Sequence, residues 1–435
     1  MIAVTHPKNY LYSILLIASS LSAAQADSIV FEAHYLTADL LVALVTRENP
    51  GIAELSAAAE AAAFRVEPAG SLDDPVFSYV FAPRTFGREG QGLNQKIELS
   101  QSIPWPGTLA AREQAARSSA MAANEGVDAL RLHVAALARG AYAEWYFTHR
   151  ALEIHGATHD LLDELHSVAE TRYAAGLALQ QDVLQVELEQ LHLHRHGLRL
   201  TQQKDAARAQ INALLNRPPD AQVPEPGSVS IPKSVAPLEI LQNYALREHP
   251  ELRGLDARIA SHVAKVTVAE KALLPDLRFT AGYNSLWDEA DKRPVIGISI
   301  NVPFNRSKRK AEVSRAKAEV RRTQSRLANQ RTQLLGELAR ARAKVIESLE
   351  SVQLYENSLL PVADEFLDAA LADYQSGAGD FLSVIAAEQH KLTAAEGLER
   401  NRADYMRHSA ELDRWTGAAL DGTGYPGLEV NHEYQ

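Results

Sequence analysis

The chain has 435 residues with a formal net charge of -11, 46% hydrophobic and 23% charged side chains, and no cysteine. That composition excludes wholesale disorder, and the acidic balance gives no basic face for a nucleic-acid partner. Without cysteine there is no disulfide framework and no thiol for a lipoprotein anchor.

The first 26 residues read as a secretory signal. Lys8 precedes a mostly apolar run from Tyr10 to Leu21, and Ala24-Gln25-Ala26 places small residues at a cleavage spacing. The apolar run is too short to span a bilayer as a helix, and no later stretch is long enough either. An exported chain is expected, either free in its compartment or crossing a membrane by strands.

A helical stretch is predicted from Thr37 to Glu67. Two short strands follow, Val76 to Phe81 and a second in which Ile97, Leu99 and Ile103 alternate with Lys96, Glu98, Ser100 and Ser102. Gly107 to Tyr173 holds no proline and reads as one helix, which at 1.5 Å per residue would reach about 100 Å. A turn at Gly176 and a return helix from Gln180 to Leu215 complete the unit. Residues 217–237 hold six prolines and read as an extended connector.

The pattern then repeats. A helical stretch from Ala236 to Leu273 precedes a strand with Leu277, Phe279, Ala281 and Tyr283 on one face and Arg278, Thr280 and Asn284 on the other. After a polar turn (Asp288 to Arg293), Ile296, Ile298, Ile300 and Val302 alternate with Gly297, Ser299 and Asn301. A long helix from Arg306 to Tyr374, with one proline at Pro361, turns at Gly377 and returns from Phe381 to Thr416. The copies are collinear. Arg47-Glu48-Asn49-Pro50 returns as Arg247-Glu248-His249-Pro250 at an offset of 200. Ile97 to Pro104 returns as Ile296 to Pro303 at 199, and Tyr173-Ala-Ala-Gly176 as Tyr374-Gln-Ser-Gly377 at 201. The division predicted is a signal (1–26), a first repeat (27–216), a connector (217–237), a second repeat (238–417) and a tail (418–435).

Strand alternation implies one apolar and one polar face. A half-buried sheet on a globular core and a barrel with lipid outside and water inside both satisfy it. In the barrel reading Lys96, Glu98, Arg278, Thr280, Asn284, Ser299 and Asn301 face the lumen. Four strands cannot close a barrel, and open edges are not tolerated in lipid, so strands of other chains must complete it. Three chains in a symmetric ring would give twelve strands. The expected fold class is mostly α with a small β part: a tunnel of long helical hairpins joined to a shared membrane β-barrel.

This order of elements, the repeated Tyr-x-x-Gly tips with Asp182-Val-Leu or Ser383-Val-Ile six residues on, and Gln95 to Gly107 (QKIELSQSIPWPG) with Asp74-Pro75 carry a resemblance. The chain resembles the TolC family of outer-membrane efflux proteins, most closely its heavy-metal (CzcC/CusC-like) branch. The resemblance implies a homotrimer in the outer membrane of a Gram-negative bacterium, extending into the periplasm. It also implies a periplasmic adaptor (membrane fusion protein) at the tips (Tyr173, Gly176, Asp182, Tyr374, Gly377, Ser383), and an inner-membrane pump of the RND type. The implied cargo is heavy-metal cations; drug efflux and type I secretion use similar ducts. The acidic entrance ring of better-known members aligns with Ser383 and Ala386, so Asp380 is the nearest substitute. As a helix N-cap before Phe381 it has a second reading.

His192-x-His194-x-His196 invites a metal reading, but on a helix His194 points away from the other two. His155 and His159 form a second pair, and solvated or interhelix histidines account for both. No metalloprotease helix, nucleophile elbow or phosphate loop is present, so no cofactor and no enzyme activity are expected. A soluble periplasmic coiled-coil scaffold is the competing class, and it leaves the four strands unexplained.

Overall fold

The computed structural model describes residues 35–82, 95–232, 234–285, 287 and 289–417. The expected signal and tail lie outside the described residues. In chain order the elements are β1 (Tyr35–Leu36), α1 (Ala38–Glu48), α2 (Pro50–Ala63), α3 (Val66–Gly70), β2 (Val76–Phe81), β3 (Gln95–Ile103), α4 (Thr108–Ala174) and α5 (Gln180–Leu214). Then come β4 (Glu225–Pro226), α6 (Leu238–Glu248), α7 (Pro250–Lys271), β5 (Leu277–Asn284), β6 (Pro294–Ile300), α8 (Arg306–Leu354), α9 (Leu360–Ser376) and α10 (Phe381–Thr416).

The opening helical stretches differ from the expected single helices. Each is cut at an X-Pro step, because the residue before proline avoids the helical region. At the first cut Asn49 Oδ1 accepts from the Gly51 N–H at 3.0 Å, and Asn49 Nδ2 donates to the Leu214 carbonyl at 3.5 Å. At the second, His249 Nδ1 accepts from the Glu251 N–H at 3.3 Å. The ring also takes a hydrogen bond with the Arg414 backbone. Both caps therefore hold a helix start to the end of the return helix of the same copy.

His249 differs from Asn49 in being able to lose its cap by protonation. Burial pushes its pKa below the usual histidine range; Glu251 opposes that shift, and Arg414 and Arg253 reinforce it. The unfolded chain then binds a proton that the folded chain resists, so this stability is present above about pH 6.5 and is lost as pH falls. Replacing His249 by asparagine is expected to preserve folding at pH 8. At pH 5 the variant should exceed the parent by about 1 kcal/mol, the usual worth of a cap, as read by thermal unfolding at both pH values.

The long helix of the first copy is unbroken over 67 residues. Its counterpart is not: α8 and α9 are joined by a π-helical turn at Tyr355–Leu359 just before Pro361. A π turn holds one residue more than an α turn, which supplies one of the two positions by which the offset rises from 199 at Ile97 to 201 at Tyr173. It also takes up the proline, whose missing N–H would leave a carbonyl unpaired in a regular helix. The turn is docked: a Cβ at Gly397 would collide with the Tyr355 ring, and a Cβ at Gly197 would lie 2.6 Å from His155 Nε2. Each copy thus seats a ring of the outgoing helix on a glycine of the return helix.

The tips close on glycines in the left-handed region, Gly176 at φ 73° and Gly377 at φ 78°. The Leu177 N–H donates to the Arg172 carbonyl at 2.8 Å and the Ala378 N–H to Asp373 at 2.9 Å, a Schellman-type closure in both. The connector is pinned rather than free. β4 pairs in parallel with β1, Trp145 Nε1 donates to the Pro224 carbonyl at 2.8 Å, and the Gly227 N–H donates to Leu36 at 2.8 Å.

The helices lie side by side in the order α5, α4, α10 and α8–α9. α7 packs between α4 and α8, whereas its first-copy equivalents α2 and α3 pack on α4. The other sheet runs β2-β3-β5-β6, antiparallel throughout. Its two inner strands come one from each copy, so the copies are joined in the sheet and along α4–α10.

Candidate functional site: sheet faces and helical tips

The register sorts the strand side chains. Phe77 lies opposite Leu99, Tyr79 opposite Ile97, Leu99 opposite Ala281, and Phe279 opposite Ile298. Phe77, Tyr79, Leu99, Phe279, Tyr283, Ile296, Ile298 and Ile300 are all solvent-exposed within one chain. Among the described residues no helix covers this apolar face, as the barrel reading expects and the globular-core reading does not.

The other face is polar. Lys96 Nζ and Glu98 Oε2 form an ion pair across two residues of β3, Lys96 lies opposite Asn284, and Arg278 lies opposite Ser102 and Ser299. Thr280 donates to the Gly297 carbonyl at 3.2 Å from the same side. Val76, Val80 and Val295 also fall on it, which the alternation of β3 and β5 gave no reason to expect. Asn301 lies just past β6: its N–H donates to the Asp276 carbonyl at 3.2 Å, and its Oδ1 accepts from the Asp276 N–H at 3.3 Å. It closes the end of the strand pair.

At the tips the copies differ. Tyr173 is half exposed. Tyr374 is buried, with the Arg172 guanidinium 4.7 Å over its ring and Phe381 edge-on at 5.1 Å. Arg172 also donates to the Gln375 carbonyl at 3.3 Å, tying one tip to the other. The helix-starting acids have exchanged places. Asp182, at the third position of α5, reaches back to the Leu179 N–H at 3.3 Å. Asp380 precedes α10 and accepts from the Ser383 N–H at 2.8 Å and hydroxyl at 2.6 Å. Those bonds hold the Asp380 carboxyl below its usual range. Its N-cap role is therefore seen, at a fully exposed carboxylate.

The histidines do not converge. His196 Nε2 approaches Glu396 Oε1 to 3.0 Å, His192 sits 3.7 Å from Glu189, and His194 is exposed. His155 bonds the Leu193 carbonyl at 2.9 Å while His159 pairs with Asp163 at 3.3 Å. Among the described residues no group of three His, Cys, Asp or Glu side chains could hold a metal ion.

One buried site escaped the sequence reading. Glu388 is 2% exposed in an apolar cluster of α10 with α4, α5 and α9, and its Oε2 has no hydrogen-bond partner. Burial, then the neighbouring Glu189, pushes its pKa up to about 7, against Lys391. Glu189 in turn accepts from Gln389 at 2.9 Å. The signal was available: Phe381, Val384 and Ile385 set the buried phase of α10, and Glu388 continues it at helical spacing.

A sheet with one exposed apolar face and one polar face, carried on helical hairpins of this length, is a fold shared with solved outer-membrane channels. Residues 241–418 of this chain, fewer than half of it, match the family model described as outer membrane efflux protein. No curated protein sequence matches. Among solved structures, the outer-membrane channel OprN superposes with a TM-score of 0.74 at 18% identity, covering 88% of this chain and 90% of that one. The outer membrane protein VceC from Vibrio cholerae gives 0.74 at 19% identity, with 88% and 97% covered. CusC gives 0.74 at 15% identity, with 88% and 92% covered.

Proposed function

We propose that the chain is the exit duct of a tripartite efflux system: a TolC-type homotrimer in the outer membrane of a Gram-negative bacterium, opening into the periplasm. The observation that carries this is the set of unfinished edges. In the second copy β5, α7 and α10 each pack on a partner in their own copy and on another in the first copy. Their first-copy equivalents β2, α2 and α5 pack mainly within the first copy.

β2 and β6 are free sheet edges beside an apolar face. α5, at one end of the helical row, exposes Leu184, Leu188, Leu191 and Leu198 at heptad spacing. The α8–α9 stretch at the other end exposes Leu354, Leu359, Val362 and Phe366. A ring of copies supplies each missing neighbour. Three chains give a twelve-stranded barrel with a water-filled interior lined by Lys96, Glu98, Arg278, Thr280, Asn284 and Ser299. Twelve lies within the even strand numbers of outer-membrane barrels. The chain catalyses nothing in this reading. Its tips (Tyr173, Gly176, Asp182, Tyr374, Gly377 and Ser383) meet a periplasmic adaptor, and an inner-membrane pump of the RND type supplies cargo and energy. Asp380 is the candidate for the entrance constriction: three copies of an exposed, ionised carboxylate would attract cations.

Recovery of a heat-modifiable, cross-linkable trimer from the outer-membrane fraction is the expected result. A soluble periplasmic monomer would return the chain to the scaffold class. The resemblance of Gln95 to Gly107 to the heavy-metal branch favours metal cations as cargo. Deleting the gene should lower metal tolerance. Unchanged metal tolerance with raised drug sensitivity would replace that assignment.

A further inference from the structure

The apolar strand face ends on a concentrated positive charge. Ile296, Ile298, Ile300, Val302 and Phe304 recur at every second position and are 89%, 66%, 54%, 60% and 90% exposed. Two residues beyond Phe304, α8 begins with Arg306, Lys308, Arg309 and Lys310. From Arg306 to Arg326 the chain holds nine basic and two acidic residues, although its overall charge is -11. Three of the cations are paired within the chain: Arg315 with Glu312, Lys317 with Glu270 and Arg322 with Glu319. Arg306, Lys308, Arg309, Lys310, Arg321 and Arg326 have no acidic partner among the described residues.

This arrangement is costly without an external anion. The first turn of α8 contains no acid, although a helix start favours negative charge. The backbone is already provided for, because Asn305 Oδ1 accepts from the Lys308 N–H at 3.1 Å. What lacks a partner is the set of side chains. The first copy supplies an internal comparison: Thr108 to Asp128 holds two basic and three acidic residues at the start of α4. The charge thus belongs to one copy, and a requirement of the shared architecture would have placed it on both.

We propose that the start of α8 is a binding surface for anionic phospholipid headgroups of the periplasmic leaflet, with Phe304 at the acyl boundary. The proposal rests on the duct reading, which sets the apolar strand face in lipid. Extended chain rises about 3.3 Å and helix about 1.5 Å per residue, so Arg306 to Lys310 stand within roughly 13 Å of Phe304, where that face ends, at headgroup level. Each basic side chain near an anionic leaflet strengthens attachment, and salt screens the effect. Exposed aromatic rings settle at the same interface.

The test uses the full-length trimer purified in a zwitterionic detergent, titrated with dioleoyl phosphatidylglycerol or dioleoyl phosphatidylcholine and read by thermal unfolding. Phosphatidylglycerol should stabilise the parent at lower concentration than phosphatidylcholine. The R306Q/K308Q/R309Q/K310Q variant should need at least about tenfold more phosphatidylglycerol and respond to phosphatidylcholine as the parent does. K308Q/K310Q should fall between them, and serves alone where the fourfold variant does not assemble. Arg112→Gln in the first copy should change nothing. Equal responses of the parent to both lipids, an undiminished phosphatidylglycerol preference in the variants, or the same stabilisation by inorganic phosphate would each overturn the proposal. Isolation of the parent as a soluble monomer would instead refute the duct reading, so the two failures are distinct.

Discussion

Replacing Ile298 by arginine is expected to abolish accumulation of the trimer in the outer membrane, whereas replacing its neighbour Ser299 by glutamate should leave the trimer intact. The two positions are adjacent on β6 and face opposite ways. Ile298 lies opposite Phe279 between Ile296 and Ile300 on the exposed apolar face. An arginine near the middle of a lipid-facing barrel surface costs about 2–4 kcal/mol per copy, and a symmetric ring carries every copy of it. Ser299 lies opposite Arg278, so glutamate there gains an opposite charge on the polar face. Heat modifiability of the outer-membrane fraction reads both outcomes. Equal assembly of the two variants would mean that the apolar face does not meet lipid.

Replacing Glu388 by glutamine is expected to stabilise the protein at alkaline pH by up to about 3 kcal/mol and to make little difference near pH 4.5. Its folded pKa is raised to about 7 from an ordinary value of 4.5, chiefly by burial and then by Glu189. Between those values the folded chain keeps a proton that the unfolded chain has released. Stability from this group therefore falls as pH rises from about 4.5 to 7, then levels off. One pKa unit corresponds to 1.36 kcal/mol, which sets the scale. Glutamine keeps the shape and a hydrogen-bonding end without the charge. The groups around the carboxyl are Glu189 on α5 and Lys391 on α10. His192 lies beside Glu189 and Asp364 pairs with Lys391. Unfolding midpoints of parent and variant from pH 4.5 to 8.5 give the measurement, and parallel curves would show that Glu388 is ionised throughout.

Glu388 also marks the limit of reading by pattern. Its place on the buried face of α10 follows from helical spacing, because each residue turns the helix by a fixed angle. That no partner reaches its Oε2 depends on which side chains of α4, α5 and α9 pack there, and no local rule sets those. The tips behave alike. Gly176 and Gly377 were legible as turns, since left-handed backbone strongly favours glycine. That Tyr374 would be buried under Arg172 while Tyr173 stays exposed was not, because it arises where two hairpins meet.

By itself the sequence determined the elements that local physics controls. A proline-free, alanine-rich run made α4 one helix, period-two alternation put Ile97 with Leu99 and Lys96 with Glu98, and collinear matches revealed two copies. The offset between the copies also rises from 199 to 201 before the tip, and a π turn before Pro361 takes up one of those positions. Only the tertiary structure decided the order of strands and helices, the pinning of the connector by β1 and Trp145, and which edges remain open. Those depend on contacts between residues far apart in the chain, 79 positions for Trp145 with Pro224 and 253 for Tyr146 with Glu399. The latter kind forms only when the copies pack, because neither copy alone can bury its sheet edge or cover its helices.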